Sequence, residues 1–238
     1  MSMERLSATS LLRAAAHLAA RDKSLASIFV SLGPPPMWRR KTGFSTLIRI
    51  ILEQQVSLAS AASMFARLQS TIVPLSPENL LSMGEFRLRS LGLTRQKTTY
   101  FLDLADAMVH KRLNLRRLAQ LPDQEARAAL MQIKGIGSWT ADIYLLMALR
   151  RPDIWPDSDL ALIKAMNQLR QTTHPLTARE IAEIAEGWRP LRSIAARMLW
   201  QYYLAQRRVS EQNPSAHRTH RRPLSQGSRY SGETVGGL

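Results

Sequence analysis

The stretch Leu130-Met-Gln-Ile-Lys-Gly-Ile-Gly-Ser-Trp-Thr-Ala-Asp142 decides how this chain is expected to fold. A helical apolar pattern over about 122–131 is interrupted by Gly135-Ile136-Gly137, and a second helix is predicted from Ser138, a residue type that favours helix N-caps. Two glycines around one apolar residue allow a tight hairpin whose backbone can come close to a ligand. Its amides would lie at a helix N-terminus, where N–H groups and the helix dipole favour a phosphate. The pattern therefore indicates a contact to a nucleic-acid backbone, with an ordinary turn between two helices as the alternative.

Helical periodicity extends over nearly the whole chain. Apolar residues recur three and four positions apart, and the alternation expected of strands is almost absent. Glycine, proline and capping residue types separate the periodic stretches, which is typical of many short helices with short connections. We therefore predict an all-α fold. The expected helices cover about 6–19, 22–32, 44–52, 58–70, 76–82, 85–90, 95–111, 122–131, 138–150, 159–170, 177–187 and 191–206.

The charge balance indicates a polyanionic partner. The 238 residues include 33 Lys and Arg against 18 Asp and Glu, for a formal net charge of +15. Only six of the basic residues are lysines. The guanidinium fork of arginine binds phosphate oxygens in pairs, so the excess suits nucleic acid. A basic composition that reflects nothing more than arginine usage is the alternative.

The absence of cysteine and of long apolar runs excludes several classes of protein. Without cysteine the chain cannot form disulfides, thiolate zinc sites or cysteine-ligated iron–sulfur clusters, and a reducing intracellular compartment is expected. No apolar run reaches the ~18–20 residues that cross a bilayer, so no membrane partner is expected. Residues 207–238 carry six arginines and two glutamates with little apolar periodicity, which predicts a basic disordered tail.

A second polar segment follows the helix predicted after the hairpin. The segment Trp155-Pro-Asp-Ser-Asp159 contains a proline and brings Asp157, Ser158 and Asp159 to the start of the next expected helix. All three are residue types that cap helix N-termini, and capping alone would explain them. An aspartate one helix away from a phosphate-binding hairpin is also placed to face the sugar of the bound strand.

Five segments in this order resemble the helix-hairpin-helix (HhH-GPD) DNA glycosylases, and among these the 3-methyladenine DNA glycosylase II, or alkylbase glycosylase, branch. They are Ile51-Leu-Glu-Gln-Gln-Val-Ser57, Leu91-Gly-Leu-Thr-Arg-Gln-Lys97, Ile133-Lys-Gly-Ile-Gly-Ser-Trp-Thr-Ala141, Trp155-Pro-Asp-Ser-Asp159 and Trp188-Arg-Pro-Leu-Arg-Ser193. The resemblance implies a two-lobed helical fold with the active-site cleft between the lobes. The implied parts are N-terminal helices packed on the second lobe (1–43), a lobe with the DNA wedge (44–113), the helix-hairpin-helix catalytic lobe (114–206) and the tail (207–238).

The resemblance also assigns chemistry to single residues. Asp159 falls where the family keeps the carboxylate that stabilises the oxocarbenium-like sugar, helps water to attack the anomeric carbon, or does both. Trp139 stands where the strand-cutting branches have a Schiff-base lysine, so no AP-lyase activity is expected. Trp139 and Trp200 match pocket tryptophans that attract a cationic base, and Ile143 would line the same wall. Packing of Trp200 in the core is the alternative.

Further residues are assigned to DNA and ion contacts. A flipped nucleotide leaves a gap, and Gln55 takes the position from which the family fills it. Alkylbase relatives often have an apolar wedge there, so Gln55 departs from the pattern, and a polar residue that closes a helix is its alternative. The implied phosphate contacts are Lys134, Gly135, Gly137, Ser138 and Arg192. The implied site for a structural Na⁺ or K⁺ consists of the backbone carbonyls of Met131, Ile133 and Ile136, and no other cofactor is expected.

These features predict a monofunctional DNA glycosylase of base excision repair. It would act as a monomer on double-stranded DNA containing damaged bases, release bases of the 3-methyladenine type and leave an abasic site. Two alternatives stay open. The same fold could act on deaminated or oxidised bases, which the polar Gln55 permits. The chain could also be a non-catalytic protein that binds damaged DNA, against which Asp159 and Trp139 argue.

Overall fold

The computed structural model describes residues 5–170 and 172–212, and this part of the chain contains helices and no strand. The helices are α1 (Ala8–Ala19), α2 (Lys23–Leu32), α3 (Phe44–Glu53), α4 (Leu58–Thr71), α5 (Pro77–Ser90), α6 (Arg95–Val109), α7 (Leu115–Leu118), α8 (Asp123–Met131), α9 (Ser138–Ile143), a π-helical turn (Tyr144–Ala148), α10 (Leu160–Arg170), α11 (Ala178–Glu186) and α12 (Arg192–Gln212). The all-α prediction is confirmed. Among the described helices, none is long and apolar enough to cross a membrane.

Helix starts follow the capping chemistry of the sequence. Before α2, the Asp22 carboxylate accepts the amides of Ser24 and Leu25 at 2.8 and 3.1 Å. Before α11, Thr177 and Glu180 form a reciprocal capping box. Each cap satisfies backbone donors that the first turn leaves unpaired, which explains why most predicted starts lie within one or two residues of the observed ones. Side-chain caps also begin other helices at Ser7, Ser57, Ser76, Thr94 and Asn114.

Two predicted helical stretches differ in detail from the structure. The helix expected over 138–150 consists of the six-residue α9 followed directly by the π-helical turn. The two short helices expected over 76–90 form α5, which is interrupted where Gly84 takes φ +67°. Glycine adopts this left-handed conformation without steric cost, so the kink lies where the sequence separates the two stretches.

Helix α3 is central to the arrangement of the site. Leu47, Ile48, Ile50 and Ile51 have no exposed surface, and each contributes on the order of 1.5–3 kcal/mol through burial. The helix packs against α4, α6, α9 and the π-helical turn. This packing brings the C-terminal end of α3 beside the hairpin that precedes α9.

Two arginines are interior residues. The Arg197 guanidinium donates to the carbonyls of Met37 and Leu146, the latter at 3.0 Å, and its burial lowers the pKa of Arg197 to about 10. Arg151 donates to two backbone carbonyls in the segment before α8, at 2.9 Å each. Both are 2% exposed or less, so the basic excess available to a nucleic acid is smaller than the composition indicates.

Residue contacts divide the chain into two compact units, of which the first is Met1–Tyr203. In this unit the segments around α1 and α2 contact later parts of the chain. The Leu6 amide donates to the Arg150 carbonyl at 3.0 Å, and the Asp22 carboxylate pairs with Arg170 at 3.0 Å. The division of this unit into lobes at 44–113 and 114–206 stays a prediction.

The second unit begins at Leu204, and its described part, Leu204–Gln212, is the end of α12. An ion pair one helical turn apart joins Arg207 and Glu211 at 2.9 Å. The prediction that the chain is disordered from residue 207 is therefore wrong for 207–212, where this pairing supports the helix. Residues 213–238, the rest of the predicted basic tail, lie outside the described part.

Candidate active site and nucleic-acid interface

Asp159 stands immediately before α10, and its side chain is only 8% exposed. Its Oδ1 accepts the amides of Ala161 and Leu162 at 3.0 Å each. This is the N-cap contact that the sequence offered as the alternative to a catalytic role, and it holds the carboxylate in a fixed orientation. Capping and catalysis are compatible, because the cap uses Oδ1 and leaves Oδ2 to face elsewhere.

Both predicted pocket tryptophans donate to this carboxylate. The Trp139 indole Nε1 lies 2.8 Å from Oδ2 of Asp159, and the Trp200 Nε1 lies 3.1 Å from Oδ1. The structure thus brings together Trp139 from α9, Asp159 from the segment before α10 and Trp200 from α12. Four N–H donors, all from neutral groups, stabilise the negative charge of the carboxylate and orient it. Neither the resemblance nor the spacing predicted this use of the indole edges.

The two carboxylate oxygens of Asp159 are unequally occupied. Oδ1 accepts three hydrogen bonds, whereas Oδ2 accepts one, from Trp139. A carboxylate has about four lone-pair positions, so Oδ2 is the oxygen with capacity for a further donor. Ile143, predicted for the same wall, follows Trp139 by one helical turn and is 3% exposed. The contact of these side chains with a flipped base stays a prediction.

The hairpin needs glycine at one of its two glycine positions. Gly135 takes φ +87°, and a Cβ built there would lie 2.1 Å from Cγ of the Tyr100 ring. Gly137 takes φ −86° and has open space where a side chain would stand. Gly135 is therefore required by the fold, whereas Gly137 leaves its backbone accessible to a ligand. Ser138 is the first residue of α9 and not its N-cap, since Gly137 holds that position without a side-chain bond.

The predicted wedge residue and the hairpin border the same groove. Gln55 stands between α3 and α4, takes the left-handed φ of +57° and is exposed. A groove with a volume of about 600 Å³ is lined by Gln55, Gln54, Lys97, Tyr100 and the hairpin residues from Met131 to Gly137. The structure thus brings the predicted wedge together with three of the predicted phosphate contacts, Lys134, Gly135 and Gly137.

Lys134 and the carbonyls implied for a monovalent cation have hydrogen-bond partners or neighbours within the fold that bear on their predicted roles. Lys134 is exposed, and its backbone amide donates to the Asp103 carboxylate at 2.8 Å, which fixes the hairpin on α6. Among the three carbonyls implied for a monovalent cation, that of Ile133 accepts the Ile136 amide at 3.0 Å. A carbonyl oxygen has two lone pairs, so this bond leaves Ile133 able to contact an ion together with Met131. The described residues contain no cluster of three acidic or histidine side chains for another metal.

Arg192 has a different environment from the one predicted. Its guanidinium pairs with Asp153 at 2.9 Å and with Glu186 at 2.7 Å, and its side chain is only 14% exposed. Two carboxylates therefore neutralise the charge that was assigned to a DNA phosphate. The contacts join the loop before Asp159 to the end of α11 and the start of α12, so the structure gives Arg192 a structural role in place of the predicted phosphate contact.

A buried acid lies on the opposite face of α9 from the hairpin contacts. Asp142 is 2% exposed and pairs with Arg127 at 2.9 Å beside a cavity of about 260 Å³. Burial raises the pKa of Asp142 to about 6, against the opposing effect of the Arg127 charge. No motif in the sequence marks Asp142, so the sequence did not predict this group.

Asp142 is expected to make stability fall as pH rises. Its native pKa lies about two units above the ordinary value of 3.8, so between these values the native state holds a proton that the unfolded state has lost. Asp142→Asn cannot titrate. Relative to this variant, we expect wild type to lose about 2 kcal/mol of unfolding free energy between pH 4 and pH 7, measured by urea denaturation.

The exposed Asp106 provides the control for that measurement. Arg112 holds the pKa of Asp106 below its usual range, the opposite direction to Asp142, so wild type should show no such loss relative to Asp106→Asn. A wild-type protein that gained stability over Asp142→Asn as pH rises would contradict the expectation.

Sequence reasoning missed the residues that hold this site together. Gln54 and Tyr100 contact the hairpin from segments 81 and 35 residues away, and Gln54 also donates to Thr140 on α9, which is 86 residues away. Local patterns carry no signal for such contacts, because helical periodicity reports which face is buried and not which partner it meets.

Comparison with known proteins identifies the family of this chain. Residues 48–190 match the family model of the HhH-GPD superfamily base excision DNA repair proteins. The chain is 28% identical over 201 residues to DNA-3-methyladenine glycosylase 1 of Schizosaccharomyces pombe, covering 81% of this chain and 88% of that protein. It is 27% identical over 169 residues to DNA-3-methyladenine glycosylase 2 of Escherichia coli, covering 66% of this chain and 56% of that protein. The solved structure of an S. pombe 3-methyladenine DNA glycosylase in complex with abasic DNA superposes with a TM-score of 0.71 at 26% identity, covering 79% of this chain and 95% of that one. The chain belongs to the HhH-GPD superfamily of base excision DNA repair proteins.

Proposed function

We propose that this protein is a monofunctional DNA glycosylase that hydrolyses the N-glycosidic bond of 3-methyladenine-type bases in duplex DNA. The observation that carries the proposal is the Asp159 carboxylate, which two tryptophan indoles and two helix amides hold in a nearly buried position. Such a preoriented charge is most effective beside a sugar that develops positive charge. The similarity to the glycosylases of S. pombe and E. coli supports the choice of substrate class.

In the proposed reaction the bond between C1′ of the deoxyribose and the base nitrogen breaks, and the base leaves with the bonding electrons. Oδ2 of Asp159, the oxygen with spare capacity, faces C1′ and the attacking water. The water oxygen bonds to C1′ and its proton passes to the carboxylate and then to solvent. An alkylated base is cationic before it leaves, so it departs as a neutral molecule and needs no general acid. The products are a free base and an abasic site.

DNA is proposed to lie along the groove that Gln55 and the hairpin line. Amides at Gly137 and Ser138 would contact a phosphate, and Gln55 would fill the gap that the flipped nucleotide leaves. We propose further that the protein acts as a monomer. The hairpin carbonyls of Met131, Ile133 and Ile136 would hold a K⁺ or Na⁺ whose role is to keep the hairpin in shape.

The test is base release from defined duplexes. Purified protein is incubated with duplexes that carry one N-methylated purine, one deaminated purine or one oxidised purine, and the free bases are quantified. The proposal expects release of the N-methylated purine at the highest rate. Release of the deaminated or oxidised base in preference to it would contradict the proposed substrate class, and release of no base would contradict glycosylase activity.

Trp139 leads to a separate expectation about strand cleavage. An indole carries no amine that could form a Schiff base, and the Trp139 Nε1–H donates a hydrogen bond to Asp159. We therefore expect abasic DNA to stay intact until alkali or heat is applied, and borohydride to trap no covalent adduct. Denaturing gel electrophoresis with and without borohydride measures both. A trapped protein–DNA adduct would overturn this expectation.

A further inference from the structure

The side chain of Gln54, the residue before the predicted wedge, is hydrogen-bonded to the hairpin. Its Nε2 donates to the Gly135 carbonyl at 2.9 Å and to the Thr140 hydroxyl at 2.7 Å. Thr140 is 1% exposed and lies on α9, one residue after the tryptophan that donates to Asp159. One amide group therefore joins the end of α3 to both the turn of the hairpin and the helix that follows it.

The backbone on the N-terminal side of the wedge is also held in place. Lys97 on α6 donates from Nζ to the carbonyls of Leu52 and Gln54, at 2.6 and 3.2 Å. A cation on the last carbonyls of a helix satisfies acceptors that the helix leaves unpaired and interacts favourably with its dipole. Glu53 is fixed as well, by a two-bond pair with Arg40 at 2.9 and 3.1 Å.

Gln55 contrasts with the residues before it. It takes φ +57°, which is unfavourable for a non-glycine residue, and its side chain is exposed and forms no hydrogen bond with the described residues. An unfavourable backbone conformation persists only where its surroundings impose it. Here the surroundings are the contacts of Gln54 and Lys97.

We propose that Gln54 is a positioning residue that anchors the Gln55 segment to the glycine hairpin, so that the wedge and the phosphate-binding backbone keep a fixed separation. The inference rests on the proposed function for its substrate. Extruding a nucleotide breaks its stacking and pairing, and a wedge that is already in place offsets this cost without losing conformational freedom on binding. Once its anchor is removed, the wedge segment has to be ordered each time a nucleotide is flipped.

The experiment compares Gln54→Ala with two matched variants. Gln54→Glu keeps the size of the side chain but replaces the donor with an acceptor that faces the Gly135 carbonyl. Gln201→Ala is the control for stability, because the Gln201 amide also donates to two backbone carbonyls, those of Leu32 and Pro34, at 2.9 and 3.4 Å, away from the groove.

Excision is measured on two duplexes with the same N-methylated purine. In one the lesion faces its normal partner, and in the other it faces an abasic-site analogue, which removes the pairing that flipping must break. We expect Gln54→Ala and Gln54→Glu to lower kcat/KM about tenfold on the paired duplex and less than threefold on the unpaired one, while Gln201→Ala changes both by less than twofold. An equal loss on both duplexes, or a loss below threefold on the paired one, would overturn the proposal.

A second readout does not depend on base release. A 2-aminopurine placed opposite an abasic-site analogue changes its fluorescence when a side chain enters the gap. At protein concentrations that saturate the duplex, we expect Gln54→Ala to give less than half of the wild-type change and Gln201→Ala to give all of it. A full change with Gln54→Ala refutes the positioning role. A full fluorescence change with wild type, combined with no base release from the duplexes that carry the N-methylated purine, would refute the proposed function and leave the positioning role standing.

Discussion

Asp159→Asn is expected to lower the rate of base release from alkylated duplex DNA by about 10²–10³-fold. In the proposed mechanism the substitution removes the negative charge that stabilises the sugar, and the loss of one preoriented electrostatic contact of this kind costs a factor of about 10²–10³. Single-turnover release of an N-methylated purine measures the effect. Affinity for a duplex with an abasic-site analogue should stay within about threefold of wild type, because the groove and the hairpin are unchanged.

The asymmetric hydrogen bonding of Asp159 determines which interactions the Asp159→Asn variant loses. An asparagine can keep its carbonyl oxygen at the Oδ1 position, where three donors meet, and its NH₂ group then faces the Trp139 indole N–H. The variant therefore loses both the charge and one hydrogen bond. Trp139→Phe loses the same hydrogen bond and keeps the charge, so it separates the two effects.

We expect Trp139→Phe to release base about tenfold more slowly than wild type, far less than the loss in Asp159→Asn. Equal losses in the two variants would show that the orientation of the carboxylate, and not its charge, limits the reaction. Wild-type rates in Asp159→Asn would remove Asp159 from the mechanism altogether.

Gly135→Ala is expected to destabilise the protein by about 2–4 kcal/mol and to lower its melting temperature by roughly 5–10 °C. The added Cβ would stand 2.1 Å from the Tyr100 ring, and the positive φ of +87° is unfavourable for alanine. Thermal unfolding followed by circular dichroism measures the change. Since the hairpin has to move to relieve the contact, DNA affinity should fall as well.

Two further variants separate the causes of that loss. Gly137→Ala introduces a Cβ into open space at φ −86°, so its melting temperature should stay within about 2 °C of wild type. If a phosphate approaches this backbone, the same variant should still bind DNA more weakly.

Combining Gly135→Ala with Tyr100→Ala removes the ring and should recover part of the stability. A double variant as unstable as the sum of the two single ones would show that the ring contact is not the cause.

Much of the fold could be predicted from the order of residues alone. The period of the apolar residues and the capping types, such as Asp22 and Thr177, predicted an all-α chain with boundaries close to the observed ones. These signals are local, because a helix forms its backbone bonds within a few residues and needs a cap at each end. The prediction of disorder from residue 207 was wrong up to Gln212, where α12 continues and includes an ion pair between Arg207 and Glu211.

The candidate site was predictable only in part. Through a family resemblance, the sequence predicted Asp159, Trp139 and Trp200 as members of one site. It did not predict that both indole N–H groups donate hydrogen bonds to the carboxylate. It also assigned Arg192 to a phosphate, whereas the structure pairs this residue with two carboxylates. An arginine has the same appearance in a sequence whether its charge is free or neutralised, and only the folded chain shows its partners.

By itself, the sequence determined the helices, the glycine hairpin and the aspartate that caps α10, since each of these depends on residues that are close together in the chain. Only the tertiary structure decided which oxygen of Asp159 is left with capacity for a substrate, why Gly135 must be glycine and how Gln54 joins the wedge to the hairpin. Those properties depend on distances between segments that are 20 to 86 residues apart. Such distances follow from packing, in which the volume and shape of every buried side chain act together.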